Sequence, residues 1–312
     1  MIYIAFGLVV IVSILAFTAY RRDTRQALAR INGRSTIVPS AYGQIEFSQG
    51  GEGPPVLIVH GSGGGFDQGT LIADYFLTPG FHWIAPSRFG YLRSTHREGA
   101  TFDEQAHAYA ALLDHLGIKR VGVVAFSHGG PSALLFAALH PERVTSLTLV
   151  SAGVASVRSG EQEGANEKGN ALVTVFRHNW LYWGLTRLFR GTFMELMGAP
   201  ESVTQKLSTE QRRIIDRIID EMMPTGPRLA GVMFDNRAAL PGERIAAIRA
   251  PTLIFHADDD TLQLVHNAEF AAAKIPDARL VRFDQGGHLV LALQHEGIRA
   301  GIREHILQHS TP

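Results

Sequence analysis

Val121-Gly122-Val123-Val124-Ala125-Phe126-Ser127-His128-Gly129-Gly130, continuing into Pro131-Ser132-Ala133-Leu134-Leu135-Phe136-Ala137-Ala138-Leu139, is the stretch that decides the fold. Its first part is a β-branched run of strand type and its last an apolar stretch of helix type, so a sharp turn lies between them. A serine at such a turn is driven toward positive φ, which is tolerated only where the residues two positions to either side are nearly free of side chain. Here those residues are Ala125 and Gly129. The common pattern is G-x-S-x-G, and Ala125 departs from it by one methyl group. The turn makes Ser127 a candidate nucleophile, but short strings of this kind also arise by chance. Their weight depends on what stands around them.

Upstream, Val56-Leu57-Ile58-Val59 is a continuous apolar run of the kind found in a parallel strand buried on both faces, and it ends in His60-Gly61-Ser62-Gly63-Gly64-Gly65. Glycines in such a loop leave backbone N–H groups able to face a pocket. With the N–H of His128, one from Ser62 or Gly63 would hold the negative oxygen of a tetrahedral intermediate. Downstream, Pro251-Thr252-Leu253-Ile254-Phe255-His256-Ala257 reads as a further strand running into Asp258-Asp259-Asp260, and Gly286-Gly287-His288 follows. A carboxylate after the serine in chain order, and a histidine after that, is the order serine nucleophiles of this turn type use.

Taken together, from about Val56 to His288, these motifs resemble the α/β-hydrolase fold, of the capped serine-hydrolase kind. The resemblance implies an α/β architecture with a mostly parallel central sheet flanked by helices and a helical cap inserted after strand 6. In that family the strand-end pattern P-T-L-x-I-x-G-x-x-D sets the acid; Ala257 stands for its glycine, so Asp260 is the carry-over and Asp259 the fallback. Ser127 maps to the nucleophile and His288 to the base. Ser87-Arg88-Phe89-Gly90-Tyr91-Leu92-Arg93-Ser94 resembles the family's D-R-x-G-x-G-x-S loop, with Ser87 replacing the aspartate and Leu92 a glycine.

The chemistry implied is acyl transfer from a carboxylic ester, with Ser127, His288 and Asp260 as triad and Ser62, Gly63 and His128 as oxyanion candidates. It requires no metal or organic cofactor. A serine at the elbow argues against the dehalogenase and epoxide hydrolase branches of the fold, which place aspartate there. Two alternatives stand beside the ester reading: hydrolysis of a carbon–carbon bond in a vinylogous diketone, as in meta-cleavage hydrolases, and a non-catalytic ligand-binding or scaffold protein on the same fold.

Composition narrows the partners. The 312 residues carry 29 Lys and Arg against 29 Asp and Glu, with a pI of about 7.3, so no basic excess points to nucleic acid. Cysteine is absent, which removes thiol nucleophiles, disulfides and thiolate metal sites together. His305 and His309 have i, i+4 spacing, but Glu304 points off their shared face and an exposed helix is expected rather than zinc.

Residues 2–20 form an apolar run broken only by Gly7, Ser13 and Thr18; at 1.5 Å per residue it spans roughly 28 Å, close to the hydrocarbon core of a bilayer. No basic residue precedes it and no small-x-small site follows, so an uncleaved single-pass anchor is expected rather than a signal peptide. Arg21, Arg22, Arg25, Arg30 and Arg34 come next against Asp23 alone, which by the positive-inside rule puts the remainder of the chain on the cytoplasmic side. The expected organisation is an anchor over 1–20, a basic juxtamembrane linker over 21–36, hydrolase core over 37–153, helical cap over 154–240 and the rest of the core over 241–312. Within it, Thr36–Pro39 and Gln44–Phe47 read as a hairpin and Arg158–Gly164 as a polar loop. Trp180 and Trp183 are the substrate-binding candidates, lining an apolar acyl pocket or meeting the bilayer, against the plainer reading that they pack within the cap. Arg88 and Arg93 are candidates for a substrate carboxylate or for turn packing.

Overall fold

Val56, Leu57, Ile58 and Val59 are all fully buried, as an uninterrupted apolar run must be when helices cover both faces of its sheet. The computed structural model describes residues 2–154, 160–197 and 200–310. Its strands are β1 (Thr36–Ser40), β2 (Gly43–Gly50), β3 (Pro55–Val59), β4 (His82–Pro86), β5 (Val121–Phe126), β6 (Val144–Val150), β7 (Thr252–Ala257) and β8 (Ala278–Phe283). They form one sheet in the order β1-β2-β4-β3-β5-β6-β7-β8. The expected hairpin, β1 with β2, is antiparallel, β2 is antiparallel to β4, and the other pairings are parallel.

The chain opens with helix α1 (Ile2–Ile31); α2 (Phe66–Ile72), α3 (Phe102–His115) and α4 (Gly130–Leu139) follow within the first part of the core. Between β6 and β7 the strand–helix alternation stops, and α5 (Gly160–Phe176), α6 (Asn179–Leu188), α7 (Arg190–Leu196), α8 (Glu201–Thr204), α9 (Thr209–Asp220) and α10 (Leu229–Asp235) form a helical insertion. Helices α11 (His266–Lys274), α12 (Val290–Leu293) and α13 (His295–His309) complete the core. One face of the sheet packs on Phe102 and Tyr109 of α3, Leu134 and Phe136 of α4 and Ala271 of α11. The other packs on Ile72 of α2 and Ile298, Ile302 and Ile306 of α13. Capping boxes start α3, at Thr101 with Glu104, and α9, at Ser208 with Gln211. Both satisfy backbone N–H groups that a helix start otherwise leaves orphaned.

Three local expectations are corrected. Residues 21–31 are not a linker: α1 runs unbroken to Ile31, because Arg, Gln, Ala and Leu sustain a helix until Gly33 turns the chain at φ +72°. That second half docks on the insertion. Tyr20 meets Trp183 edge-on, Trp183 Nε1 and Arg187 both donate to Asp23 Oδ2, at 3.0 and 2.6 Å, and Ala27 packs against the insertion's own core. The polar stretch from Gly160 to Gly164 is helical, as the start of α5; residues 155–159 lie outside those described. His305 is buried, its Nε2 bonded to Pro251 O at 3.1 Å, rather than exposed on its helix. The first half of α1 makes no such contacts: Ile4, Phe6, Leu8, Leu15 and Phe17 are 61–78% exposed. It is long and apolar enough to cross a membrane.

Candidate active site

The turn at the end of β5 has the predicted strain. Ser127 sits at φ +47°, a region a side-chain-bearing residue adopts only when its surroundings force it. They do so by closeness: a Cβ on Gly129 would lie 2.5 Å from Val59 O and 2.6 Å from His60 O, so β3 and the start of α4 approach only over bare backbone. Gly61 faces the serine from the other side, where a Cβ would sit 3.2 Å from Ser127 Cβ.

From this turn the serine reaches the other two predicted residues. Ser127 Oγ lies 2.9 Å from His288 Nε2, and His288 Nδ1 lies 2.9 Å from Asp260 Oδ2. A carboxylate can only accept, so the imidazole proton is on Nδ1 and Nε2 is free to accept from the serine hydroxyl. Asp260 is 2% exposed, and its other oxygen accepts the N–H groups of Leu262 and Gln263, each at 2.9 Å. Burial pushes its carboxyl up, but the charge and hydrogen bond of His288, with help from His256 and the Gln263 amide, outweigh this and hold it below the usual range. The fallback acid is elsewhere: Asp259 Oδ1 accepts from Gly287 N at 2.7 Å. Asp258 accepts from Arg282 Nε at 2.7 Å. Both tie β7 to the β8 end.

The glycine loop after β3 faces the same serine. Gly63, at φ +75°, lies under the insertion, where a Cβ would meet Phe176 Cζ at 2.7 Å and Met222 Sδ at 3.2 Å. Its N–H is directed to Tyr91 Oη at 3.4 Å, a hydroxyl that also meets Ser62 Oγ at 3.1 Å and donates to Asp235 Oδ2 at 2.5 Å. Arg88, fully buried, is held by the two oxygens of Asp235 at 2.6 and 2.7 Å, and Arg93 donates to Glu46. Turn packing, rather than a substrate carboxylate, therefore occupies both arginines. His60 is also structural. It accepts from Arg88 N at Nε2, at 2.9 Å, and burial lowers its pKa to about 3.

A chamber opens over Ser127 and His288, walled by Leu172 and Phe176 of α5, Met197, Ile218 of α9, Met222 and Leu289. Trp180 and Trp183 are not among its walls, which corrects their reading as pocket residues: Trp180 is 61% exposed and Trp183 is spent on Asp23 and Tyr20. Phe176 ends α5 and α6 starts at Asn179, so the two tryptophans stand on a different helix from the chamber wall. Beyond His128 lies a second, polar recess, lined by Asn166, Asn170, Asn236 and Gln263 among others, which shares His128 and Asn236 with the chamber. Sequence reading missed Tyr91, Asp235, Asp67 and Arg228. Each is an ordinary polar residue whose partner is distant in sequence, so no local pattern marks it.

Residues 54–193 match the family model of the alpha/beta hydrolase fold. The chain is similar to an uncharacterized hydrolase, YcgS, of Bacillus subtilis (strain 168), with 30% identity over 80% of this chain and 89% of that protein. It is also similar to Lipase 3 of Moraxella sp. (strain TA144), with 28% identity over 76% of this chain and 72% of the lipase. Hydrolases of 2-hydroxy-6-oxo-dienoates also match. Among solved structures, an alpha/beta hydrolase fold protein from Nakamurella multipartita has 28% identity and a TM-score of 0.68, over 87% of this chain and 98% of that one.

Proposed function

We propose that this chain, which belongs to the α/β-hydrolase fold family, is a membrane-anchored serine hydrolase that cleaves hydrophobic carboxylic esters through an acyl-serine. The observation that carries the reading is the unbroken line Ser127–His288–Asp260, with both links at 2.9 Å, opening onto an apolar chamber. In the first step Oγ attacks the ester carbonyl while His288 Nε2 takes its proton, and Asp260 stabilises the imidazolium that results. The N–H groups of Ser62 and His128 receive the oxyanion; that of Gly63 is already directed to Tyr91. Collapse expels the alcohol, which takes the proton from Nε2, and water then repeats the sequence on the acyl-serine. The insertion acts as the cap: its α5 and α9 give the acyl chain apolar walls, and the amide-lined recess past His128 accepts the polar alcohol half.

The chamber favours esters over the carbon–carbon alternative. A ring-fission dienoate carries a carboxylate that needs a cation, and the two arginines that reach the glycine loop, Arg88 and Arg228, are neutralised by Asp235 and Asp67. The first twenty residues are the anchor and hold the domain at the bilayer, on the cytoplasmic side by the positive-inside rule. A fluorophosphonate probe tests the assignment. Wild-type chain labels and hydrolyses a short p-nitrophenyl ester, and Ser127→Ala loses both, with turnover falling by about 10⁵-fold or more. Labelling of the alanine variant, or faster turnover of a dienoate than of any ester, overturns the proposal.

A further inference from the structure

Resting on the esterase reading above, we propose that Arg30, in the last turn of the anchor helix, is a positioning residue for the oxyanion loop, so that the anchor is a working part of the active site. Three separate pieces of chain meet at this one guanidinium. Its Nη1 pairs with Asp67 Oδ2 of α2, and its Nη2 donates to Glu221 O at 2.7 Å and to Met223 O at 2.6 Å, just past α9.

Two routes lead from there to the loop that follows β3. The first is ionic. Asp67, 6% exposed, is shared with Arg228 of the insertion, fully buried, whose Nη2 reaches Asp67 Oδ2 at 2.6 Å and whose Nη1 donates to Gly64 O at 2.6 Å. Burial raises the Asp67 carboxyl, but Arg228 and then Arg30 override it and bring it down to about 2, so the cluster stays charged wherever the protein works. The second route is steric. Arg30 grips the carbonyls on both sides of Met222, and Met222 lies directly over Gly63 beside Phe176. A donor N–H in that loop is thus held in place from both directions, and tenths of an ångström at an oxyanion donor are felt in the chemical step rather than in binding.

Removing the Arg30 fork leaves Asp67 paired with Arg228 and Glu221, the other carboxylate near Arg30, paired with Arg217, so no buried charge is orphaned and the domain keeps its fold. What it loses is the clamp. The experiment uses the full chain in detergent micelles, with active sites counted by the fluorophosphonate burst and turnover of p-nitrophenyl butyrate expressed per counted site. For Arg30→Met, kcat per site falls about tenfold, part of the roughly 10²–10³ that loss of a whole donor costs. KM stays within about twofold. Arg30→Lys restores charge but not the fork and recovers part of the loss; Arg25→Met, altering an exposed arginine on the same helix, changes nothing.

A residue that merely supports folding lowers the number of sites and leaves kcat per site intact, and that result for Arg30→Met overturns the proposal. Should Arg30→Met not fold, Arg30→Lys decides: a lowered kcat per site supports the role and a wild-type value overturns it. A wild-type chain that neither labels nor hydrolyses the ester overturns the esterase reading itself, and this proposal with it.

Discussion

Three consecutive carboxylates leave the end of β7 and take three different partners, and the difference in their partners fixes the difference in their expected mutants. Asp260→Asn replaces the acceptor of His288 Nδ1–H by an amide that can donate there, which favours the wrong imidazole tautomer; kcat falls by about 10³–10⁴ with the fold intact. Asp259→Asn keeps an acceptor for Gly287 N and costs less than about tenfold. Steady-state kinetics of the two variants side by side check this, and equal losses would show that the acid has been misassigned. The sequence makes Ser127 and His288 legible because the chemistry needs them at strand ends among small residues. Asp260 rather than Asp259 is what the resemblance to the family's strand-end pattern implies, with Ala257 standing for its glycine; three adjacent carboxylates do not by themselves say which one meets a histidine. Trp180 and Trp183 do not line the chamber, because helical spacing tells which residues share a face and not what covers that face. The cover here is α1, which Trp183 meets through Asp23 and Tyr20.

Strands and helices show a second kind of dependence, in which ionisable residues buried at their ends tie loops together. His60 closes β3, bonds Gly61 O through Nδ1 at 2.7 Å and accepts Arg88 N from the loop after β4. Its ordinary pKa of 6.5 falls to about 3, chiefly by burial and then by Arg88. Between those two values the unfolded chain holds a proton at this site that the folded chain does not, so stability falls as pH drops through the window. One such group contributes a slope of at most about 1.4 kcal/mol per pH unit. Thermal melts between pH 6.5 and 4.5 should therefore show a steady decline, flatter in His60→Gln, though not abolished because His128 and His256 are lowered too. A slope unchanged in the variant would falsify the account. The alternation of strand and helix and both capping boxes were readable, since hydrophobic period and cap chemistry are local. The Arg88–Asp235 and Asp67–Arg228 pairs were not. Each joins the core to the insertion across more than a hundred residues, and only the folded chain brings them within reach.

On the scale of the molecule, the proposed anchor decides where the chemistry happens. The exposed apolar half of α1 has no protein surface to cover it among the described residues, and as a spanning helix it should hold the chain in the membrane through an alkaline carbonate wash. Release into the wash would show that the segment is cleaved or only loosely attached. The basic residues after it set the expected side, although Arg30 is already engaged with Asp67 and adds little to that count. Within the expected linker, residues 21–31 are helical for a physical reason: a basic segment is also a good helix former, and here it finds acids and carbonyls to bind. Because α1 passes without a break from its apolar half to its contacts with the insertion, over about 45 Å, the proposed anchor would serve as a spar rather than a leash. The catalytic mouth would then keep a constant height and bearing above the plane it stands on, and turnover should follow how crowded that plane is with substrate, as a mole fraction, more than how much ester the surrounding water holds.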